Sequence, residues 1–307
     1  MNPNKQLKLL CYESIFNHLA ELYTNNNIPN KILFSGKKGI GKATFAYHFV
    51  NYILSQNEEY SYNKESNLIN INNRSHNLLL NGTHPNFHLI EKKKDKKIIE
   101  IQQIREINKF INQSSLNDKL KIVLIDDVEY LTNSASNSLL KAIEEPNKNV
   151  QFILIYDNSK FILETLKSRC IEFNFFLKEK EIFTVLNNYF GEDIENKISP
   201  DFKGKYLSPI EYINLITLCT KLNLDFSNLE IDKLIKEIIS NNFNNNMIKE
   251  LDFKLYLEIF LHKKCKNINN LKYFNFINKF NKKFSDAMKY NLDIQPLLIE
   301  LNSVFFK

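Results

Sequence analysis

The chain has 307 residues, a length typical of about two domains. Its hydrophobic fraction of 43% and charged fraction of 25% are ordinary for a soluble globular protein, and only 6 Gly and 7 Pro exclude collagen-like or Pro/Gly-rich disordered chains. The formal net charge of +6 is compatible with nearby nucleic acid but too small to indicate it. No apolar run approaches the ~20 residues of a membrane-spanning helix, and the N-terminus lacks an apolar signal core, so the sequence predicts a cytoplasmic protein without a membrane partner.

In the first half of the chain, short apolar runs alternate with segments of helical periodicity. The runs predict strands over residues 31–35, 87–90, 121–125, 152–156 and 171–175. The periodic segments predict helices over residues 42–54, 99–113 and 134–145, the last of which ends before Pro146. Because the strand runs are continuously apolar, the pattern predicts an α/β fold with a parallel sheet covered on both faces.

Two polar segments interrupt this alternation. Residues 56–74 are rich in Asn, Ser and Glu with little apolar periodicity, and they predict a surface insertion. Residues 91–97 carry five lysines, which favour a solvated loop tip over the alternative, a contact with nucleic acid.

After about residue 176 the pattern becomes helical, with an amphipathic segment at 178–190 and helical periodicity from 208 to the end. Phe276, Phe280 and Phe284 recur every four residues and predict a buried helix face, while residues 241–245 predict a loop. The boundaries predict an α/β domain over residues 1–175, a small helical domain over 176–222 and a helical C-terminal domain over 223–307.

The strongest motif lies between the first predicted strand and the helix that follows it. There the spacing G-x-x-x-x-G-K is formed by Gly36, Lys37, Lys38, Gly39, Ile40, Gly41 and Lys42. Glycines allow successive backbone N–H groups to turn toward an anion, and the helix N-terminus adds its positive end. This arrangement predicts a loop that cradles nucleotide phosphates, with Lys42 reaching the outer ones.

Two positions depart from what a nucleotide-hydrolysing site requires. Ala43 stands where a Ser or Thr hydroxyl would ligate Mg²⁺, and Thr44 is one helical position too late to replace it. Asp126 and Asp127 end the third predicted strand as acidic candidates for a magnesium site, but Asp127 is shorter than the glutamate that would polarise the attacking water. Two alternatives stay open: a loop that binds ATP or ADP, with Mg²⁺ only beside a bound nucleotide, and a loop that binds nothing.

Three further motifs carry a resemblance to a known family. They are the Asp-Asp-Val-Glu-Tyr run at 126–130, the Asn-Ser-Leu-Leu-Lys-Ala-Ile-Glu-Glu-Pro run at 137–146 and the Ser-Arg-Cys motif at 168–170. In this order they resemble bacterial DNA polymerase III clamp-loader subunits, the AAA+ proteins of the delta-prime, gamma and tau group, over residues 10–175. The resemblance implies an AAA+ P-loop parallel-sheet domain, then a small helical lid domain, and a helical collar domain for oligomerisation.

The resemblance also implies a role for Arg169 as an arginine finger. In such assemblies the Ser-Arg-Cys arginine acts in trans, on the phosphates held by a neighbouring subunit, where it stabilises charge on the transferred phosphoryl group. The alternative is an ordinary arginine on a short helix, bonded to a nearby carboxylate.

Within the family, the departures at Ala43 and Asp127 and the end of the chain near residue 307 favour the delta-prime type. The resemblance then implies a largely non-hydrolysing stator within the polymerase holoenzyme, with no ATPase activity of its own. Its implied partners are gamma/tau-type and delta-type subunits, the sliding clamp and primer–template DNA. The alternatives are a hydrolysing gamma/tau-like motor and a stand-alone P-loop kinase. A kinase is expected to have an Arg-rich lid, and no such cluster follows the phosphate loop in this sequence.

The cysteines Cys11, Cys170, Cys219 and Cys265 are scattered, with no C-x-x-C pair, so reduced thiols are expected and Cys170 is interpreted as a packing thiol. Many relatives of this family carry a four-cysteine zinc module after the first helix, but residues 56–74 contain no cysteine. The spacing of the three nearby histidines at 76, 84 and 88 indicates loop and strand positions, so no zinc is predicted.

Overall fold

The computed structural model describes residues 2–93, 96–112, 120–144, 149–241, 253–267 and 271–306. It divides into two compact units, Met1–Val185 and Leu186–Lys307. The predicted helix end at residues 145–146, the last predicted residue of the helix at 113, part of the lysine run at 94–95 and most of the Asn-rich loop at 242–245 lie outside the described residues. The predicted division of the helical half into lid and collar stays a prediction.

A five-stranded parallel sheet forms the centre of the first unit. Its strands are Lys31–Gly36 (β1), Phe87–Ile90 (β2), Lys121–Ile125 (β3), Val150–Asp157 (β4) and Ile171–Asn174 (β5). They are arranged in the order β2-β3-β4-β1-β5, and every adjacent pair is parallel. All residues of β3 and β4 are buried, which explains their largely apolar sequences. The predicted parallel α/β sheet is confirmed.

Helices cover the sheet of this unit. They are Glu13–Thr24 (α1), Lys42–Leu54 (α2), Arg74–Leu80 (α3), Ile101–Asn112 (α4), Asn133–Glu144 (α5) and Glu164–Lys167 (α6), and Glu179–Phe190 (α7) spans the division between the units. The predicted apolar face of α4 is confirmed, because Ile104 and Ile107 are fully buried in the cluster that contains the strand residues. Each such side chain contributes about 1.5–3 kcal/mol through burial.

The segment at residues 56–74 is mostly exposed, as predicted, but polar anchors fix it to the unit. The buried Asn73 side chain accepts from Asn51 Nδ2 at 2.9 Å and from the His76 backbone N–H at 2.6 Å, and it donates to the Tyr60 carbonyl at 2.6 Å. The sequence did not predict α3, whose N-cap is Asn73. Because this anchor consists of amide groups, it gives no hydrophobic periodicity from which a helix could be predicted.

A buried imidazole joins the same segment to the N-terminus. His48 has no exposed surface. Its Nε2 lies 3.0 Å from the Gln6 carbonyl oxygen and its Nδ1 lies 3.1 Å from the Tyr62 hydroxyl. Because the Gln6 carbonyl can only accept, Nε2 carries the proton, and in the neutral ring Nδ1 accepts from the Tyr62 hydroxyl. Burial lowers the pKa of His48 from its ordinary 6.5 to about 4.

The described part of the second unit consists of helices, with no strand among the residues described there. After α7 they are Pro209–Lys221 (α8), Ile231–Ser240 (α9), Phe253–Asn267 (α10), Leu271–Tyr290 (α11) and Gln295–Phe305 (α12). At the start of α8, Glu211 Oε2 accepts from the Ser208 backbone N–H at 2.6 Å. Phe280 and Phe284 are buried, which confirms the predicted apolar face of α11. No described helix is long and apolar enough to cross a membrane.

Candidate functional site

The phosphate loop joins β1 to α2, where the sequence predicts it. β1 ends at Gly36 and α2 begins at Lys42. Gly39 and Gly41 have φ values of 81° and 98°, a left-handed conformation that glycine adopts without steric cost. Gly41 is the N-cap of α2, so the loop ends at the positive end of that helix. Backbone N–H groups and a helix N-terminus therefore meet at this end of the sheet.

Gly36 allows the loop to pass close to the chain that follows β5. A Cβ atom at this position would lie 2.5 Å from the Phe175 carbonyl oxygen and 2.9 Å from Ile40 Cδ1. The Phe175 N–H donates to the Ser35 carbonyl at 2.7 Å, which holds that backbone in place. Any larger residue at 36 would have to displace backbone that is already hydrogen-bonded.

Lys42 is nearly buried, with 5% of its surface exposed, and its amine binds the loop itself. Nζ donates to the Gly36 carbonyl at 2.6 Å and to the Lys37 carbonyl at 2.7 Å. Burial lowers its pKa to about 8, while nearby carboxylates, Asp157 foremost, act in the opposite direction. A phosphate in this loop would share or displace these carbonyls to reach the amine.

The remaining loop residues differ in exposure and support. Lys38 is exposed, and Lys37, Ala43 and Thr44 are partly buried. Ile40 is buried, and its carbonyl accepts a 2.8 Å hydrogen bond from the Tyr12 hydroxyl. Tyr12 was not predicted as a site residue, because it contacts the loop from 28 positions upstream.

The two predicted acidic residues follow β3 but have different surroundings. Asp126 Oδ1 accepts from the Asp127 backbone N–H at 2.9 Å, and burial together with the Asp127 charge raises its pKa to about 6. Asp127 has a left-handed backbone, with φ of 56°. Its Oδ2 lies 3.0 Å from Lys92 Nζ. The carboxylate of Asp127 is therefore already held in an ion pair.

Glu129 is a third acidic residue at this edge, and it was not predicted as a site residue. Its side chain has no exposed surface, and burial raises its pKa. Oε2 accepts from the Asp157 backbone N–H at 3.2 Å. Oε1 has no hydrogen-bond partner among the residues that the structure describes, and it lies 3.7 Å from Lys160 Nζ. The one feature of the sequence that could have marked it as a site residue is its position two residues after Asp127.

Two lysines meet on one aromatic ring beside these carboxylates. Lys92 Nζ lies 3.5 Å and Lys160 Nζ lies 3.9 Å from the centroid of the Tyr130 ring. Both distances are within the range of cation–π attraction. We call Lys92, Tyr130 and Lys160 the cation clamp. It connects the segments that follow β2, β3 and β4.

Arg169 follows α6 at the surface, where 38% of its side chain is exposed. Its Nη2 lies 2.7 Å from Glu144 Oε1, and its Nη1 donates to the Thr165 carbonyl at 2.9 Å. The structure thus shows the carboxylate pairing that the sequence left open as the alternative to a finger. An exposed pair of this kind contributes only about 0–1 kcal/mol, so the guanidinium can exchange its partner.

The residues of this site fit a phosphate group better than a magnesium ion. Lys42, the loop glycines and the start of α2 supply positive charge and N–H donors, but Ala43 supplies no oxygen. In the part of the chain that the structure describes, no three His, Cys, Asp or Glu come together as metal ligands. The prediction of no zinc stays a prediction. Cys170 packs partly buried against the core, and burial raises its pKa to about 11.

Comparison with known proteins gives one family. A sequence model of the family described as "DNA polymerase III, delta subunit" matches residues 12–178. The DNA polymerase III subunit delta' of Pseudomonas aeruginosa is 31% identical over 140 residues, which are 46% of this chain and 41% of that protein. Relatives from other bacteria carry the same name. This chain covers less than half the length of the first relatives that it matches.

Two further comparisons concern gamma-type proteins. The DNA polymerase III subunit gamma of Buchnera aphidicola is 26% identical over 237 residues, which are 74% of this chain and 62% of that protein. A solved structure, a gamma subunit-related protein of Thermotoga maritima, has a TM-score of 0.49 and 15% identity, and the match covers 94% of this chain and 98% of that one.

Proposed function

Because the chain belongs to the DNA polymerase III delta subunit family and several of its relatives are named subunit delta', we propose that it is an AAA+ clamp-loader subunit of the delta-prime type and acts as a stator in clamp loading. In this role it supplies Arg169 to the nucleotide site of a neighbouring ATPase subunit. It does not hydrolyse ATP itself.

The observation that carries the non-hydrolysing role is the incomplete magnesium site beside an otherwise complete phosphate loop. Ala43 offers no hydroxyl, and Asp127, at the position of the expected glutamate, is paired with Lys92. Hydrolysis in P-loop proteins depends on a positioned metal and a positioned water, and both requirements rest on these residues. The site can still hold charge, because Lys42 and the start of α2 remain.

We further propose that the loop takes the phosphates of ATP or ADP. The backbone N–H groups of the loop and the Lys42 amine would hold them, and a bound nucleotide would add negative charge beside the buried lysine. The exposed Arg169 is not needed for this site, because its proposed target is the neighbour's nucleotide.

The proposed partners are gamma/tau-type and delta-type subunits and, through the assembly, the sliding clamp and primer–template DNA. The proposed process is DNA replication, and the proposed location is the cytoplasm. Support comes from the names of the relatives, several of which are DNA polymerase III subunits of the delta' and gamma types.

A second candidate function is an ATP-hydrolysing gamma/tau-like motor. The observation that favours it is the likeness to the Buchnera gamma subunit, which extends over 74% of this chain, together with the intact G-x-x-x-x-G-K spacing. Ala43 and the Asp127–Lys92 pair argue against it.

Assembly tests the proposed role. The chain is mixed with the gamma-type and delta-type subunits of its own organism, and the mass of the product is measured by size-exclusion chromatography with light scattering. We expect one discrete hetero-oligomer that requires this chain together with both other types. If the chain forms the complete complex in place of the gamma-type subunit, the motor function is favoured; if it joins no complex, the clamp-loader role is wrong.

A further inference from the structure

Four carboxylates lie at the carboxyl edge of the sheet near the phosphate loop. They are Asp126, Asp127, Glu129 and Asp157. Each of them acts on the charge of Lys42, and Asp157 pairs in register with Gly36, so this edge and the loop adjoin. In a metal-dependent phosphate site, a divalent cation would offset such charges.

In this chain, lysines occupy positions beside these carboxylates. Lys92 Nζ lies 3.0 Å from Asp127 Oδ2, and Lys160 Nζ lies 3.7 Å from Glu129 Oε1. Both amines also lie against the Tyr130 ring, which fixes their positions from a second side. The cation clamp therefore places two positive charges at the acidic edge.

The other two carboxylates have part of their oxygen capacity already used. Asp126 Oδ1 accepts from the Asp127 N–H at 2.9 Å. Asp157 Oδ1 accepts from the Ser159 N–H at 3.1 Å and from its hydroxyl at 2.8 Å. Together with the missing hydroxyl at Ala43, this leaves a poor ligand set for the octahedral shell of Mg²⁺. The fold family implies magnesium here, and the residues do not fit it.

We propose that the phosphate loop of this chain binds a nucleoside diphosphate or triphosphate without a divalent metal, with Lys92 and Lys160 in the charge-balancing role of the cation. The inference rests on the proposed nucleotide site. The four carboxylates and Lys42 together carry a formal charge of minus three. The two clamp lysines bring this formal charge to minus one. That change favours an anion in the loop, where a bare acidic edge would repel it.

The test is a fluorescence titration of the full-length chain with a fluorescent ADP analogue (mant-ADP), in excess Mg²⁺ and in excess EDTA. We expect dissociation constants that agree within about twofold in the two conditions. Binding that is tighter in Mg²⁺ by more than about twofold would overturn the inference, and so would the absence of binding in both. Neither result affects the assembly test, so a failure of this inference is distinguishable from a failure of the proposed clamp-loader role.

A matched pair of variants tests the clamp directly. Lys92→Met keeps an apolar stem over the Tyr130 ring but removes the charge, so mant-ADP binding in EDTA should weaken by about tenfold and Mg²⁺ should partly restore it. Lys96→Met removes a cation from the same segment that is paired with Glu100, not with the acidic edge, and should change nothing. Equal affinities for Lys92→Met, Lys96→Met and the parent would refute the role of the clamp.

Discussion

Replacement of Arg169 by alanine is expected to lower the ATPase rate of the reconstituted clamp-loader complex by about a thousandfold, the lower end of what arginine fingers contribute in other phosphoryl-transfer systems. The complex should still assemble, because Arg169 is exposed and its pair with Glu144 is a surface interaction. Arg169→Lys should restore little of the rate, since a lysine cannot present the planar fork of the guanidinium to phosphate oxygens. The measurement is steady-state ATP hydrolysis with primed DNA and clamp present.

Two neighbouring substitutions serve as controls for Arg169. Glu144→Gln removes the carboxylate that holds the guanidinium at 2.7 Å, and the ATPase rate should stay the same or rise. Lys167→Ala removes a nearby cation that is paired with Glu172 at 3.3 Å, and the rate should not change. An unchanged rate in the assembled Arg169→Ala complex would mean that the Glu144 pair is the whole role of this arginine.

A fall in pH from about 7 to about 4 is expected to lower the free energy of unfolding by roughly 3 kcal/mol through His48 alone. Its pKa is about 4 in the folded chain and ordinarily 6.5, so the unfolded chain binds more protons throughout this interval. The stability that His48 contributes is therefore complete above about pH 6.5 and is lost as the pH falls toward 4. Urea unfolding at a series of pH values measures this dependence.

Other groups also titrate in this interval, so the parent alone does not isolate His48. Burial lowers the pKa of His76, which acts in the same direction, whereas Asp126, with a pKa raised to about 6, gains stability as the pH falls. His48→Gln removes only the contribution of His48, so the free energy of unfolding should depend less steeply on pH. Replacement of the exposed His18 by glutamine should leave this dependence unchanged. If parent and His48→Gln lose stability with the same dependence on pH, the assignment to His48 is wrong.

Much of the first unit could be predicted from sequence because its central strands, β3 and β4, are buried on both sides. A continuous apolar run such as residues 121–125 leaves few alternatives, and β3 spans those residues. The helix α3 was missed because its N-terminal anchor is Asn73, a buried amide whose partners are also polar. Such a network produces no hydrophobic periodicity, although its hydrogen bonds hold the backbone of this segment.

The residues of the candidate site also fall into those that the sequence predicted and those that it did not. The phosphate loop was found because its residues are contiguous and their spacing follows from the geometry of backbone N–H groups around a phosphate. Tyr12, Lys92 and Lys160 were missed because each reaches the site from a distant segment, and nothing in their own sequence surroundings marks that contact. Arg169 was singled out through resemblance to a family, and its position at the surface is compatible with the proposed role in trans.

The most direct test of the non-hydrolysing role is ATP turnover by the purified chain alone, measured beside its Lys42→Ala variant. A stator that lacks the magnesium hydroxyl and whose Asp127 is paired with Lys92 should show no turnover above background, so the two proteins should give the same rate. Turnover by the parent that disappears in Lys42→Ala would show hydrolysis at this phosphate loop, and the chain would then not be a non-hydrolysing stator.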